Sequence, residues 1–572
     1  MSKNNFFRIV GLVAAVGLIG LACAKKPEPA TFVLTNGKLI TLDKDVPTAE
    51  ALAARGDKIV AVGTAKEIAR YIGPETEVLD LQGQLATPGW IDSHLHFTGV
   101  GQAKLSLDLT KVKNWDEIVA MVAEAAKNAK PGEAITGRGW HQEKWDKVPE
   151  PNVNGMPFHD ALSKVSPNNP VVLTHASGHS SLANAKAMEL SKLTAKTPNP
   201  PGGEILKDAK GRPIGAFLET AQSLVRGALS RAYQARTEEE REAENWKVVE
   251  LADQECLSQG LTSVGDAGAS WRTVELYKRI IDKGKLGVRI NVMLSEGAKR
   301  IAENAAAWKI DEYGADHLSV HTIKRLIDGA LGPHGAWLLE PYEDLPTSTG
   351  LNTDTIENMK ETARVAIENG FQVATHAIGD RANRETLDIY EEAFKAHPDK
   401  TDLRWRIEHS QHLNPADLPR FGKLGVIAAM QGIHCTSDGP WVLKRLGPKR
   451  AEEGAYMWRA LIDSGATISN GTDAPVEAVD ALPSFYASVS RKMKNGEVFF
   501  AAQKMTREEA LRSYTINGAY AAFEEKIKGT LTVGKLADVT VLTKDIMTCP
   551  EDEIPTAEIA YTIVGGKVLY KK

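Results

Sequence analysis

Two histidines separated by one residue give the first sign of metal chemistry in this sequence. His94 and His96 close the apolar stretch TPGWIDSHLHF, and on a β-strand residues two apart point to the same side. Neutral imidazoles are common ligands of Zn²⁺ and related divalent ions. The same spacing also occurs in ordinary half-buried histidines, so the pair alone leaves both interpretations open.

Three further segments end in a similar way. His376, His409 and Asp473 each stand after an apolar run and just before a turn or a helix start, in QVATHAIGD, WRIEHSQH and TISNGTDAPV. A single residue of this kind could be a buried structural histidine or, for Asp473, a helix N-cap. Four such strand ends together favour a metal site at the carboxyl edge of a barrel sheet.

Strand-like apolar runs alternate with amphipathic helices over residues 87–524, which is typical of βαβ units. We therefore predict an α/β fold, a (β/α)₈ TIM-type barrel, with an inserted hairpin near residues 197–219 over its mouth. Helices are predicted at Trp115–Ala129, Thr237–Gln259, Asp354–Asn369 and Thr506–Phe523. Candidate strands are Ala86–His96, Val171–His175, Leu261–Asp266, Val288–Leu294, Thr322–Asp328, Phe371–His376, Arg404–His409, Val426–Gln431 and Ala466–Asp473.

Both ends of the mature chain consist of short β-rich runs with turn dipeptides. Residues 24–86 and 525–572 are each too small to fold alone, so we expect them to pair with each other. This predicts a small β-sandwich domain that is built from both chain ends and lies beside the barrel.

The first 23 residues resemble a secretory signal with a lipobox-like end. Lys3 and Arg8 precede an apolar run over residues 9–21 that is too short to span a bilayer. The run leads to Cys23, with Gly20 at the place where a lipobox normally has Leu. We predict export and lipidation at Cys23, which would anchor a periplasmic or cell-surface lipoprotein to a membrane; plain cleavage beside Cys23 is the alternative.

Composition excludes several other classes of protein. The 572 residues carry a formal charge of −5, which lacks the basic surplus needed along a nucleic acid. Four cysteines without a CxxC pair argue against a disulfide framework and against a thiolate zinc site. We expect a small-molecule substrate and no nucleic acid as partner, and the sequence leaves open whether the chain forms an oligomer.

A set of motifs extends over nearly the whole mature chain. Together they resemble the amidohydrolase superfamily, and within it the branch related to N-substituted formamide deformylases. The resemblance implies the same architecture, a barrel flanked by a β-sandwich from both chain ends. The motifs are PGWIDSHLH, SGHSSLANAKAM, TPNPPGGEI, KRLIDGALG, THAIGDRAN, RIEHSQ, GTDAPVE and GTLTVGKLADVTVL.

The resemblance also implies a role for Lys324. In members with two metal ions, the lysine at this place is carboxylated by CO₂, and its carbamate bridges the ions. A salt-bridged structural lysine is the alternative, and it leaves a single-metal site of His94, His96, His376 and Asp473. The ligand set implied for two divalent ions, with Zn²⁺ expected, is His94, His96, Lys324, His376, His409 and Asp473.

By the same resemblance, a water between the ions attacks a carbonyl, and Asp473 is the catalytic residue that moves its proton to the leaving nitrogen. His179, in SGHSS, is the second catalytic candidate and is expected to hydrogen-bond the substrate or its oxyanion, with a structural tether as the alternative. Asp328, His334 and His434 are further candidates for substrate binding. Family members often carry Ser-Arg where this chain has Pro333 and His334, so the substrate stays open.

The leading functional hypothesis is an exported metal-dependent hydrolase of carbon–nitrogen bonds of the amide, N-acyl or N-formyl type. Lactonases, esterases and deaminases use similar metal sites, and fold alone does not distinguish them. A non-catalytic lipoprotein that captures a solute in a degenerate barrel is an alternative of another class. All six ligand positions are filled, whereas such degeneration usually removes ligands.

Overall fold

The computed structural model describes residues 27–234 and 236–572, so the predicted signal and Cys23 lie outside the described residues. Eight parallel strands form one sheet whose spatial order follows the chain. This arrangement is a TIM-type barrel, as predicted. Its strands are β1 (Trp90–Leu95), β2 (Leu261–Ala269), β3 (Arg289–Leu294), β4 (Leu318–Leu326), β5 (Gln372–Ala377), β6 (Arg406–His409), β7 (Ile427–Met430) and β8 (Ile468–Asn470). A short strand, Ile310–Tyr313, pairs antiparallel with β4.

The first and last barrel strands meet through side-chain and backbone hydrogen bonds rather than a regular ladder. The backbone N–H of Asp473 donates to the carbonyl of His94 at 2.7 Å. Asp92 on β1 accepts from the backbone N–H of Thr472 at 3.0 Å and from its hydroxyl at 2.6 Å. Asp92 also accepts from the N–H of His94 at 3.0 Å. Barrel closure therefore fixes two predicted metal ligands relative to each other.

Helices pack around the barrel in the expected alternation. Both predicted capping boxes form, Thr237 with Glu240 and Thr506 with Glu509. The single helix predicted over Thr506–Phe523 is two helices, because Thr515 has a non-helical backbone (φ −134°, ψ −98°). No helix in the described part of the chain is both long and apolar enough to cross a bilayer. The helices after the insertion are Glu238–Ser258, Trp271–Asp282, Ala298–Trp308, Ile356–Asn369, Asp380–Ala396, Leu418–Leu424, Gly432–Gly454 (broken at Gly447), Trp458–Asp463, Ala481–Ser490, Arg507–Ser513 and Ile516–Ala521.

The chain between β1 and β2 departs from the predicted layout. Val171–His175 is a strand, but the prediction that it belongs to the barrel is wrong, because it pairs with Ile135–Trp140 and Ser180–Ala183 in a separate six-stranded sheet. The predicted hairpin forms an edge of that sheet, as Gly203–Lys207 and Pro213–Glu219. Leu107–Asp108 completes the sheet, and the other elements of this insertion are Asn152–Val153, Met156–Pro157 and the helices Phe97–Lys104, Trp115–Asn128, Asp160–Val165, Ala185–Leu190 and Gln222–Gln234.

Two sheets near the chain ends share one hydrophobic core that includes Phe32, Leu52, Val539 and Ile563. In the larger sheet, strands from both ends of the chain pair directly, Val539–Leu542 with Leu85–Pro88. Its order is Lys567–Lys571, Ile559–Val564, Val539–Leu542, Leu85–Pro88, Lys38–Ile40 and Thr48–Ala49; the smaller sheet has Lys58–Gly63, Ala51–Arg55, Phe32–Thr35 and Glu77–Asp80, with the helix Ala65–Ile68 beside it.

The segment predicted as one strand, Ala86–His96, is divided at Gly89 between this larger sheet and barrel strand β1. A Cβ atom at Gly89 would lie 2.2 Å from the hydroxyl of Thr262 on β2. The close approach of the two strands therefore requires glycine at the crossing point.

Candidate metal centre

The six predicted ligands converge at the carboxyl end of the barrel. Asp473 Oδ1 lies 3.2 Å from His96 Nε2 and 3.5 Å from His94 Nε2. On the other side, Lys324 Nζ lies 3.5 Å from the same His94 nitrogen. The ring of His409 has its centroid 4.9 Å from that of His94 and 4.5 Å from that of His376. Residues from five different strand ends thus share one small volume.

Several polar atoms in this volume have no hydrogen-bond partner among the described residues. His376 Nε2 and Asp473 Oδ1 both lack such a partner, although the two residues are only 3% and 6% exposed. A buried polar atom left without a partner costs about 1–3 kcal/mol. Imidazole nitrogens and a carboxylate oxygen aimed at one point are the donors that divalent ions prefer, so the site fits a metal ion.

The backbone takes unusual conformations at two of these ligands. His409 has φ +76° and Asp473 has φ +57°, in the left-handed region that side chains other than glycine rarely adopt. Such strain is typical of sites where the orientation of a side chain matters more than local stability. At His409 it also breaks the alternation of the strand, so that Glu408 and His409, which are neighbours in sequence, both face the interior.

Glu408 is a site residue that the sequence did not reveal. Its fully buried carboxylate contacts His94 Nδ1 and accepts two hydrogen bonds from Arg406, from Nε at 2.7 Å and from Nη2 at 2.9 Å. Burial alone would raise the pKa of Glu408, but Arg406 and His94 hold it well below its ordinary value. A carboxylate on Nδ1 leaves Nε2 of His94 directed at the centre. Period-two alternation counted from His409 would have placed Glu408 on the outer face, whereas Glu408 shares the inner face with Arg406, two residues earlier.

His409 is oriented by a similar contact, since its Nδ1 lies 2.7 Å from Gln431 Oε1. Burial lowers the pKa of His94 to about 4 and those of His376 and His409 well below their ordinary value. These imidazoles are therefore neutral at pH 7, the form in which histidine binds metals. Burial also lowers the pKa of Lys324 to about 8.

An open cavity of about 520 Å³, counted together with the solvent at its mouth, is lined by three of these groups, His376, His409 and Asp473. The inserted sheet contributes His179, whose Nδ1 lies 2.6 Å from Glu219 Oε2 and whose ring centroid is 4.9 Å from that of His376. Burial lowers the pKa of His179, but Glu219 outweighs this effect and the pKa lies above its ordinary value. His434, predicted to bind substrate, also lies in the cavity wall.

Two residues predicted to bind substrate do not line this cavity. Asp328 is fully buried, and its carboxylate accepts hydrogen bonds from the backbone N–H groups of Trp337, Ile378 and Gly379. Its Oδ1 lies 3.6 Å from His376 Nε2, so Asp328 stands behind the proposed metal centre and not in the cavity wall. His334 points to Asp344, with 3.0 Å between Nε2 and Oδ1. For both side chains, partners within the protein occupy the atoms that substrate would need.

Comparison with known proteins agrees with this geometry. The model of a family described as the amidohydrolase family matches residues 77–570. Protein LONG AFTER FAR-RED 3 of Arabidopsis thaliana is 32% identical over 95% of this chain and 92% of its own. N-substituted formamide deformylase of Arthrobacter pascens is 28% identical over 95% of this chain and 98% of its own. A crystal structure of an uncharacterized metal-dependent hydrolase from Pyrococcus furiosus has a TM-score of 0.69 and 26% identity, over 90% of this chain and all of that one. The chain belongs to the amidohydrolase family and is a metal-dependent hydrolase, as its motifs predicted.

Proposed function

We propose that this protein hydrolyses carbon–nitrogen bonds other than peptide bonds, in small amides of the N-acyl or N-formyl type. The convergence of four imidazoles, a carboxylate and a buried lysine at the barrel mouth carries the proposal. The similarity to N-substituted formamide deformylase supports a carbon–nitrogen substrate. The cavity opens directly onto these groups, so a small amide can reach them.

The donor set suits Zn²⁺ better than harder ions, because nitrogen ligands outnumber oxygen ligands. His94, His96 and Asp473 would hold one ion, and His376 and His409 a second. A divalent cation bound there supplies Lewis-acid chemistry, by which water ionises near neutral pH and a carbonyl is polarised.

We also propose that Lys324 is carboxylated. Its ammonium group forms no ion pair with a carboxylate in the described ranges, which disfavours the structural alternative. Because burial lowers its pKa to about 8, about a tenth of the side chain is a neutral amine at pH 7, far more than for an exposed lysine. That amine can attack CO₂, forming an N–C bond and losing one proton, and the anionic product lies beside His94.

Two protein groups are placed to move protons. Asp473 is anionic, since His96, His94 and His409 hold its pKa well below the ordinary value against the effect of burial. Its Oδ1 can accept the proton of the attacking water and deliver it to the leaving nitrogen. Glu219 favours the protonated form of His179, and in that form the imidazole can donate a hydrogen bond to the oxygen that gains negative charge.

Hydrolysis assays on the purified full-length protein test this function. We expect turnover of N-benzylformamide or an N-acyl amino acid, loss of turnover after chelation, and recovery when Zn²⁺ and bicarbonate are added. Asp473→Ala should abolish turnover, whereas Asp463→Asn, at a carboxylate that is 66% exposed, serves as the matched control. Turnover of esters or lactones alone, or deamination alone, would replace the proposal with one of those activities.

We further propose that the protein is exported and lipidated at Cys23, and that the two terminal sheets form one β-sandwich. The common core of the two sheets supports the sandwich. The apolar run that ends at Cys23 supports export. Labelling of the protein with palmitate in cells, lost in Cys23→Ser, is the expected result; equal labelling of both chains would contradict lipidation.

A further inference from the structure

One face of the helix Gly432–Gly454 lines the cavity with two polar side chains. His434 and Asp438 are four residues apart, so on a helix they are neighbours along the same face. Both lie in the cavity wall, among apolar side chains such as Leu331 and Val476 and polar ones such as Gln411 and Glu477. His434 and Asp438 together form a polar patch on this helix face.

The His434 imidazole is the inner part of this patch. A nitrogen of its ring lies within 4.8 Å of ligand atoms of His409 and Asp473. The residue is 5% exposed, and its Nε2 has no hydrogen-bond partner in the described part of the chain. Buried polar atoms in native proteins nearly always have a partner, so this nitrogen is available to a bound molecule.

Asp438 is the outer part of the patch. One of its oxygens, Oδ2, accepts from the hydroxyl of Tyr456 at 3.0 Å and from Gln411 Nε2 at 3.4 Å. No described residue donates a hydrogen bond to Oδ1, and no described lysine or arginine forms an ion pair with Asp438. Burial raises the pKa of this carboxyl to about 6, so it is mostly ionised at pH 7.

The nearest ammonium group of the cavity wall is already engaged. Lys144 Nζ lies 3.0 Å from Ser437 Oγ and 3.8 Å from Glu477 Oε1. Two carboxylates and one ammonium leave this end of the cavity with excess negative charge. A carboxylate that is only partly exposed to water and has no paired cation is stabilised by an arriving cation.

We propose that His434 and Asp438 form a subsite for a protonated amino group of the substrate, so that amides bearing a primary ammonium group are preferred. This inference rests on the proposed amide hydrolysis and specifies its substrate class. Four residues of helix separate His434 and Asp438 by about 6 Å along the helix axis. Of the two, His434 is the residue that lies with His409 and Asp473. A short alkyl spacer between the scissile amide and the ammonium group matches that distance.

Rates on matched amides test the subsite in the zinc-loaded full-length enzyme. We expect kcat/KM for N-acetyl-1,5-diaminopentane to exceed that for N-pentylacetamide, its neutral counterpart, by about tenfold or more. Asp438→Asn should bring this ratio close to one, and Asp438→Glu, which keeps the charge, should retain most of it. Asp399→Asn, at a carboxylate that is 72% exposed, is the control that leaves the ratio unchanged. A ratio near one in the wild type overturns the subsite but not the hydrolase.

A binding measurement separates failure of the subsite from failure of the proposed function. Calorimetric titration with pentylammonium chloride, compared with 1-pentanol, needs no turnover. We expect pentylammonium to bind the wild type about tenfold more tightly than it binds Asp438→Asn. If neither amide is hydrolysed and this difference is still found, the subsite stands and amide hydrolysis fails. Equal affinity for the two proteins overturns the subsite whatever the assays show.

Discussion

The carboxylate of Glu408 lies against Nδ1 of His94, and Arg406 holds that carboxylate from its other side. The three side chains are at most 1% exposed and link barrel strands β1 and β6 beneath the metal centre. Nε2 of His94 is thereby fixed between Asp473 and Lys324. The position of one metal ligand thus depends on a residue that never reaches the cavity.

Replacement of Glu408 by Gln should weaken Zn²⁺ binding by about 10–100-fold, since outer partners of this kind orient the ligand and raise its basicity. Competition with a fluorescent chelator measures the affinity directly. Glu357→Gln, at an exposed carboxylate on a surface helix, is the matched control. Unchanged affinity in Glu408→Gln would show that the contact with His94 is structural only.

Five of the six proposed metal ligands, all but Lys324, could be predicted from sequence because they obey two regular rules. His94 and His96 follow the period of a strand, and His376, His409 and Asp473 stand at strand ends, where barrels build their sites. Their convergence needs only the parallel order of the strands. No knowledge of side-chain packing was required.

Three other features could not be predicted, because they depart from these rules or because no sequence pattern indicates them. His409 faces the interior beside its neighbour Glu408 because His409 has a left-handed backbone, and the residue types do not predict that conformation. Val171–His175 is as apolar as a barrel strand, and its membership of the inserted sheet depends on pairing partners distant in the chain. His334 comes directly after the family motif KRLIDGALG in the sequence, but its side chain pairs with Asp344 and does not line the cavity.

Glu219→Gln should change the pH profile of hydrolysis. Glu219 raises the pKa of His179, so its loss lowers that pKa and the protonated imidazole disappears at lower pH. We expect the alkaline limb of kcat/KM to move to lower pH, with a smaller maximum. The His334–Asp344 pair lies outside the cavity, so Asp344→Asn is the control. An identical alkaline limb in Glu219→Gln would contradict the role of His179 as a hydrogen-bond donor.

Asp92→Ala should destabilise the closure of the barrel. The substitution leaves the backbone N–H groups of His94 and Thr472 without their acceptor in a fully buried position, at a cost of about 3 kcal/mol. We expect a lower Tm and reduced zinc content in the same preparation. Asp92→Asn keeps an acceptor oxygen and should lose less. Equal Tm values for wild type and Asp92→Ala would show that the β1–β8 junction does not depend on this carboxylate.

Glu509→Gln should lower stability at neutral pH but not in acid. Glu509 completes a capping box with Thr506 and pairs with Arg459, and these contacts lower its pKa from about 4.5 to about 2. A depressed carboxyl pKa stabilises the folded state above the unfolded pKa, and that stabilisation is lost as pH falls from about 4.5 towards 2. At a side chain that is 28% exposed, the loss at pH 7 should be about 1 kcal/mol.

Thermal unfolding at pH 7, 4 and 3 should therefore show a difference in Tm between wild type and Glu509→Gln that becomes smaller as the pH falls. Glu508→Gln, whose carboxylate is 63% exposed, should change Tm much less, and a pH-independent difference for Glu509→Gln would assign the effect to packing instead of charge.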